Sequence, residues 1–173
     1  MNIKTIILAA GKGTRMKSAK AKVLHEIAGK PMLQHVVESA AQLNSQIAVV
    51  YGHDGEQVKK TLSQFDITWL EQVEQLGTGH AVKQAVGHIT DEDIVLILYA
   101  DVPLLRKTTL AKMIANIGNS TMSLLTVTLE NPTAYSPFIQ LCTFLKVSTL
   151  STDSGGAISV ASGIDKSITI TLL

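Results

Sequence analysis

Ile6-Ile7-Leu8-Ala9-Ala10-Gly11-Lys12-Gly13-Thr14-Arg15-Met16 is an apolar run that stops in glycines and continues in cations. It reads as a buried strand, residues 3 to 10, that ends in a turn whose main-chain N–H groups can face a ligand. Glycine lets backbone come close to such a ligand and adopt positive φ. Lys12, Arg15, Lys17, Lys20 and Lys22 follow within a few residues, so the ligand is expected to be anionic, with polyphosphate the first candidate. Two common glycine loops do not fit. The dinucleotide fingerprint wants a third glycine where Met16 stands, and the P-loop wants Gly-Lys-Ser/Thr starting at that same residue.

Outward from that strand the chain alternates. Pro31 is placed to open a helix with Met32, Leu33, Val36, Val37, Ala40 and Leu43 at helical spacing. Ile47 to Tyr51 is a second strand. Asp54, with Gln57 three residues on, is placed as the N-cap of a helix through Leu62, and Ile67 to Leu70 is a short third strand. Thr78 is placed to cap a helix to about Gly87; Ile94 to Tyr99 is a fourth, wholly apolar strand, Thr108 to Ile117 a helix, and Met122 to Leu129 a strand before an Asn131-Pro132 turn. Strands alternating with helices imply an α/β fold, a mostly parallel sheet with helices on both faces. Ligands of such sheets collect at the carboxyl ends of strands, where segments 8–22, 72–78 and 99–103 begin.

At 173 residues and 46% hydrophobic, one domain with a sizeable core is expected. A net charge of +1 gives no reason to expect nucleic acid or an anionic membrane as partner, so the N-terminal cations matter by position. The lone cysteine, Cys142, excludes an internal disulfide and fits a reducing cytosol. No apolar run approaches the roughly 20 residues of a membrane span, and the first residues make a poor signal peptide, so a soluble, cytoplasmic protein is expected.

The run Leu8 to Met16, with Lys22-Val23-Leu24-His25 and Ala28-Gly29-Lys30-Pro31 behind it, resembles the signature of the sugar-phosphate nucleotidyltransferases, and most of all the UDP-N-acetylglucosamine pyrophosphorylase domain of the bifunctional bacterial enzymes. The resemblance holds to about Tyr135. It implies a Rossmann-like nucleotide-diphospho-sugar transferase layer and a reaction of UTP with N-acetylglucosamine 1-phosphate giving UDP-N-acetylglucosamine and pyrophosphate. By that resemblance Leu8, Ala9, Ala10 and Gly11 line the base and phosphates, Arg15 meets the triphosphate, and Lys22 meets the sugar nucleotide's phosphate. By the same resemblance Arg15 and Lys22 would be the catalytic cations. Gln72, Gly77 and Thr78 would read uridine, a side-chain amide offering donor and acceptor together. Tyr99 would line the nucleotide site, and Asp101 would hold Mg²⁺.

The chain also departs from that family. Ala21 stands where the family carries proline, and Ala100 where it carries glycine, so a methyl group is expected to crowd the nucleotide. Pro132-Thr133 is followed by Ala134-Tyr135-Ser136-Pro137 where the family has Gly-Tyr-Gly-Arg. No glutamate or asparagine follows Asn131, which leaves the family's later sugar and metal ligands without counterparts. Residues 1–135 are therefore read as the α/β domain and 136–173 as a divergent Ser/Thr-rich tail, disordered or forming short strands at Ala157 to Val160 and Ile168 to Leu172. Truncation or a change of reading frame would explain that tail. Impaired turnover is expected. The alternatives are an inactive nucleotide-binding module, or a related nucleotidyltransferase with another sugar phosphate or molybdopterin as substrate. No oligomeric state follows.

Overall fold

The computed structural model describes residues 2–11, 18, 20–117, 122–128, 138–146, 150–152 and 158–160. Strand β1 (Asn2–Ala9) is central, paired in parallel with β4 (Gln46–Tyr51) on one side and β6 (Asp93–Tyr99) on the other. Strand β5 (Thr68–Glu71) extends the parallel part beyond β4.

Two cores form because side chains alternate along a strand. Ile7 and Ala9 of β1, Val49 of β4, and Leu96 and Leu98 of β6 point to one face, where they pack on Leu33, Val36, Val37 and Ala40 of helix α1 (Met32–Ala41) and on Leu110, Met113 and Ile117 of helix α4 (Lys107–Ile117). Helix α2 (Gly55–Thr61) adds Val58 to that face. Ile6, Val50, Val95 and Ile97 point the other way, onto Ala81, Val82 and Ala85 in and just after helix α3 (Thr78–Lys83). Strands covered on both faces need apolar residues at every position, which is why β6 is continuous Ile-Val-Leu-Ile-Leu.

The chain runs from β1 through α1 to β4 and through α2 to β5 at the edge, and then returns past β1 through α3 to β6. The full order is β5-β4-β1-β6-β8-β7, with β7 (Met122–Thr128) at the edge and β8 (Phe138–Lys146) between it and β6. β8 is antiparallel to both neighbours. The sequence reading places no strand at Phe138–Lys146, which it counts in the Ser/Thr-rich tail. β9 (Leu150–Thr152) pairs with β10 (Ile158–Val160), close to the strand expected at Ala157 to Val160. The Asn131-Pro132 turn and Ile168 to Leu172 lie outside the described residues.

Several expected boundaries shift for local reasons. Pro31 precedes the helix instead of opening it: at φ −53°, ψ 141° it pairs with Glu26 in a small ribbon of β2 (Glu26–Ile27) and β3 (Lys30–Pro31). That ribbon turns through Ala28 and Gly29, both at positive φ, 51° and 78°. Asp54 does precede α2, yet its side chain makes no capping bond. Thr78 is the first residue of α3, and Gly77 holds the cap position, again without a side-chain bond. That helix ends at Lys83, and a separate 3-10 turn covers Val86–His88.

Candidate active site

The carboxyl ends of β1 and β6 mark the point where the chain leaves the sheet in opposite directions, the crevice in which open α/β sheets bind ligands. A cleft of about 520 Å³ opens there, walled by Leu8, Ala9, Ala10 and Gly11 at and just past the end of β1, Gln72, Gly77 and Thr78 from the segment after β5, Tyr99 and Asp101 at and just past the end of β6, and Lys22. Every one of these is a residue singled out in the sequence, and the fold brings them together from four separate segments. Arg15, and with it Lys12 and Lys17, lies outside the described residues. Gln75, Val23 and Ala81 also line the cleft, and the sequence reading missed them. A smaller hollow of about 290 Å³ shares Lys22 and Gln75 and runs to His53 and Asp54 beyond β4.

Each wall has a local cause. The β1–β6 ladder continues one step past the strands, with Ala100 N donating to Leu8 O at 3.1 Å, and Val102 N then turns back to Tyr99 O at 3.1 Å. Asp101 sits on that turn, at the rim. Alternation sends Ala100 into the core, 1% exposed beside Leu98, so its methyl group faces away from the cleft. The expected crowding of a nucleotide at this position is therefore not found. Lys22 begins a 3-10 turn, Lys22–Leu24, whose Val23 and Leu24 are buried in the α1 core. These two anchors leave Lys22 at the cleft edge.

Across the mouth, Lys22 Nζ and Asp101 Oδ2 pair at 2.7 Å, with side chains 37% and 41% exposed. An ion pair this wet contributes at most about 1 kcal/mol to stability. It is better described as two opposite charges held ready at a ligand-sized opening.

The floor is more rigid. Gln72, 3% exposed, is anchored by its N–H to Tyr51 O at 2.9 Å, and its side-chain Nε2 donates to Gly77 O at 3.1 Å. The same Nε2 lies 3.0 Å from His80 Nδ1. Gly77 has φ 100° and ψ −177°, a conformation essentially confined to glycine, and its carbonyl also receives Ala81 N–H at 3.1 Å. His80 is thus a partner of the site, and the sequence reading did not place it there. The signal was its place one turn into a helix whose start is the Gly-Thr pair.

A model of the MobA-like NTP transferase domain matches residues 5–160. The chain belongs to that family. Among relatives of this nucleotidyltransferase, the bifunctional protein GlmU of Alcanivorax borkumensis is 53% identical over 141 residues, 81% of this chain and 31% of that protein. GlmU of Idiomarina loihiensis is 48% identical over 141 residues, with the same shares. The chain therefore spans about a third of the length of the curated relatives it matches. Solved structures share the fold: 4-diphosphocytidyl-2C-methyl-D-erythritol synthase from Anaerococcus prevotii has a TM-score of 0.67 at 15% identity, covering 84% of this chain and 70% of that one. The bifunctional IspDF of Campylobacter jejuni has a TM-score of 0.70 at 17% identity, covering 87% and 42%.

The described residues hold no cluster of three or more His, Cys, Asp or Glu side chains able to cage a metal. Asp101 is a single carboxylate. That donor set fits Mg²⁺, which is commonly bound through one or two carboxylates with substrate phosphates and water completing its shell. No helix among the described residues is long and apolar enough to cross a membrane.

Proposed function

We propose that this nucleotidyltransferase transfers uridylyl from UTP to N-acetylglucosamine 1-phosphate, releasing pyrophosphate, and that it turns over slowly. The observation that carries the reading is the convergence of a glycine-ended strand, a cation and a carboxylate on one crevice at the switch point of the sheet. The likeness to GlmU proteins supports the choice of substrates.

In this reading a phosphate oxygen of the sugar phosphate attacks the α-phosphorus of UTP, and the bond from that phosphorus to the bridging oxygen breaks as pyrophosphate leaves. Main-chain N–H groups around Ala10 and Gly11 and the ammonium of Lys22 meet the charge that gathers on the phosphoryl oxygens, with Arg15 on the triphosphate. Asp101 would hold Mg²⁺, which when bound neutralises phosphate charge. Lys22, freed from its carboxylate, then turns to a phosphate. Gln72, Gly77 and Thr78 meet the base, and Leu8 and Tyr99 pack beside it. Slow turnover follows from Ala134-Tyr135-Ser136-Pro137, which stands where the family has the Gly-Tyr-Gly-Arg that contacts the sugar nucleotide. The setting proposed for this chemistry is the cytoplasm.

Melting of the whole chain with UDP-N-acetylglucosamine, against an adenine nucleotide as control, tests the pocket and its specificity together. A ligand at 100 times its Kd adds about 2.7 kcal/mol of stability, which raises the midpoint by about 5–11 °C for a chain of this size. The rise is expected with the uridine sugar nucleotide alone. No rise with either compound overturns nucleotide binding. Binding without pyrophosphate release points to the inactive module, and release at about 1 s⁻¹ or faster refutes the slow turnover.

A further inference from the structure

The side-chain amide of Gln72 has one carbonyl oxygen and one nitrogen with two hydrogens. Its orientation is settled by Gly77: a carbonyl oxygen only accepts, so the amide atom 3.1 Å from it is the nitrogen. That nitrogen also faces His80 Nδ1 at 3.0 Å, so its second hydrogen is directed at the ring. Both hydrogens are then spent inside the protein. Among the described residues nothing donates to Gln72 Oε1, and the cleft therefore meets Gln72 as an acceptor alone.

This holds only while His80 Nδ1 can accept. A neutral imidazole accepts at one nitrogen and donates from the other. Gln84 Nε2 lies 3.2 Å from His80 Nε2 and also donates to the His80 main-chain carbonyl at 3.1 Å. The two glutamines compete to define the ring. Gln72 is buried and Gln84 half-buried, and an unmet donor costs more where water cannot reach it, so Gln72 prevails and the ring proton sits on Nε2.

We infer that His80 is a positioning residue that, by accepting one amide hydrogen of Gln72, makes Gln72 select a base edge bearing a ring N–H. Uracil presents such an edge, N3–H between two carbonyls. Cytosine presents a bare N3 at the same place, lone pair against lone pair, with its donor displaced to the exocyclic amine. The inference rests on the reading of the cleft as a nucleotide site and names the atom on which its choice of base depends.

Two measurements on the whole chain test it. Long-range nitrogen–proton spectra of the histidine rings report the His80 tautomer directly, and the proton is expected on Nε2. Titration calorimetry with UTP and with CTP then compares the wild type with His80→Leu and His80→Asn. The wild type is expected to prefer UTP by at least about tenfold, the scale of one buried mismatch. In His80→Leu the freed amide can turn an N–H to the cleft, and the preference falls to about threefold or less, chiefly by gain of CTP affinity. Asparagine, whose Oδ1 can stand in for Nδ1, restores it. A proton on Nδ1, or a folded His80→Leu that keeps the full UTP preference, overturns the inference while nucleotide binding stands. A wild type that binds neither nucleotide overturns the nucleotide reading and the selectivity built on it, whatever the tautomer.

Discussion

Gly11→Ala separates a glycine kept for the chain from a glycine kept for a ligand. Among the described residues a Cβ built at Gly11 meets nothing within 4 Å, and the residue does not occupy the left-handed region. Alanine there clashes with none of them and strains no backbone. Replacing glycine at a compatible site narrows the unfolded ensemble and stabilises by about 0.4–1 kcal/mol. For a chain of this size that raises the melting midpoint by about 1–4 °C. The open space is the cleft itself, so the methyl group enters the path by which a phosphate would approach the main-chain amides. One displaced charge-assisted hydrogen bond, worth about 1.5–3 kcal/mol, weakens UTP by about 10- to 150-fold. Scanning calorimetry measures the first effect and titration with UTP the second. A variant that melts higher and binds UTP as the wild type does would refute the claim that this loop touches the ligand. A variant that melts lower would show that glycine serves the backbone.

Other substitutions probe separate parts of the structure. Gly77→Ala forces a Cβ onto φ 100°, costing about 1–3 kcal/mol, and loosens the carbonyl that orients Gln72; a lowered melting point with weakened uridine binding is expected, and an unchanged one would contradict the strain. Ala21 sits at φ −51°, ψ 136°, close to values that proline adopts, and no bond from its N–H occurs among the described residues. Ala21→Pro is expected to stabilise by about 0.4–1 kcal/mol, and a loss on thermal unfolding would mean that the ring overfills the core. Ala28→Asn relieves a left-handed alanine in the two-residue β2–β3 turn and is expected to stabilise by about 0.5–1 kcal/mol in denaturant unfolding. Glu38 is held below the usual carboxylate range by its hydrogen bond from Gln34 and then by Lys30. A depressed folded-state pKa adds stability above the unfolded-state value and loses it as pH falls through the folded one. The melting gap between wild type and Glu38→Gln should therefore be present at neutral pH and close in acid; a gap that persists there would assign it to packing.

The fold and most of the cleft wall were legible in the sequence because both depend on local, repeating constraints. A strand buried on both faces has to be apolar throughout, as in Ile94–Leu98, and a glycine turn after it marks its carboxyl end. β8 escaped for the converse reason. It joins the sheet by pairing with β6 far back in the chain, and no local period announces a partner at such a distance. Ala100 shows the same limit on the scale of one residue. Read against a family pattern, its methyl group should intrude on a nucleotide; strand alternation instead turns it into the core beside Leu98. His80 was hardest to see. Its importance lies in taking up the second amide hydrogen of Gln72, and this depends on two distances, to Gly77 O and to His80 Nδ1, that spacing alone does not contain. Chemical type at a position thus identifies who lines the cleft, while the direction in which each hydrogen bond runs decides what the cleft can recognise. Asp101 and Lys22 make the same point with charge: each is evident as an ion in the sequence, and only the structure shows that they pair across the cleft mouth at 2.7 Å.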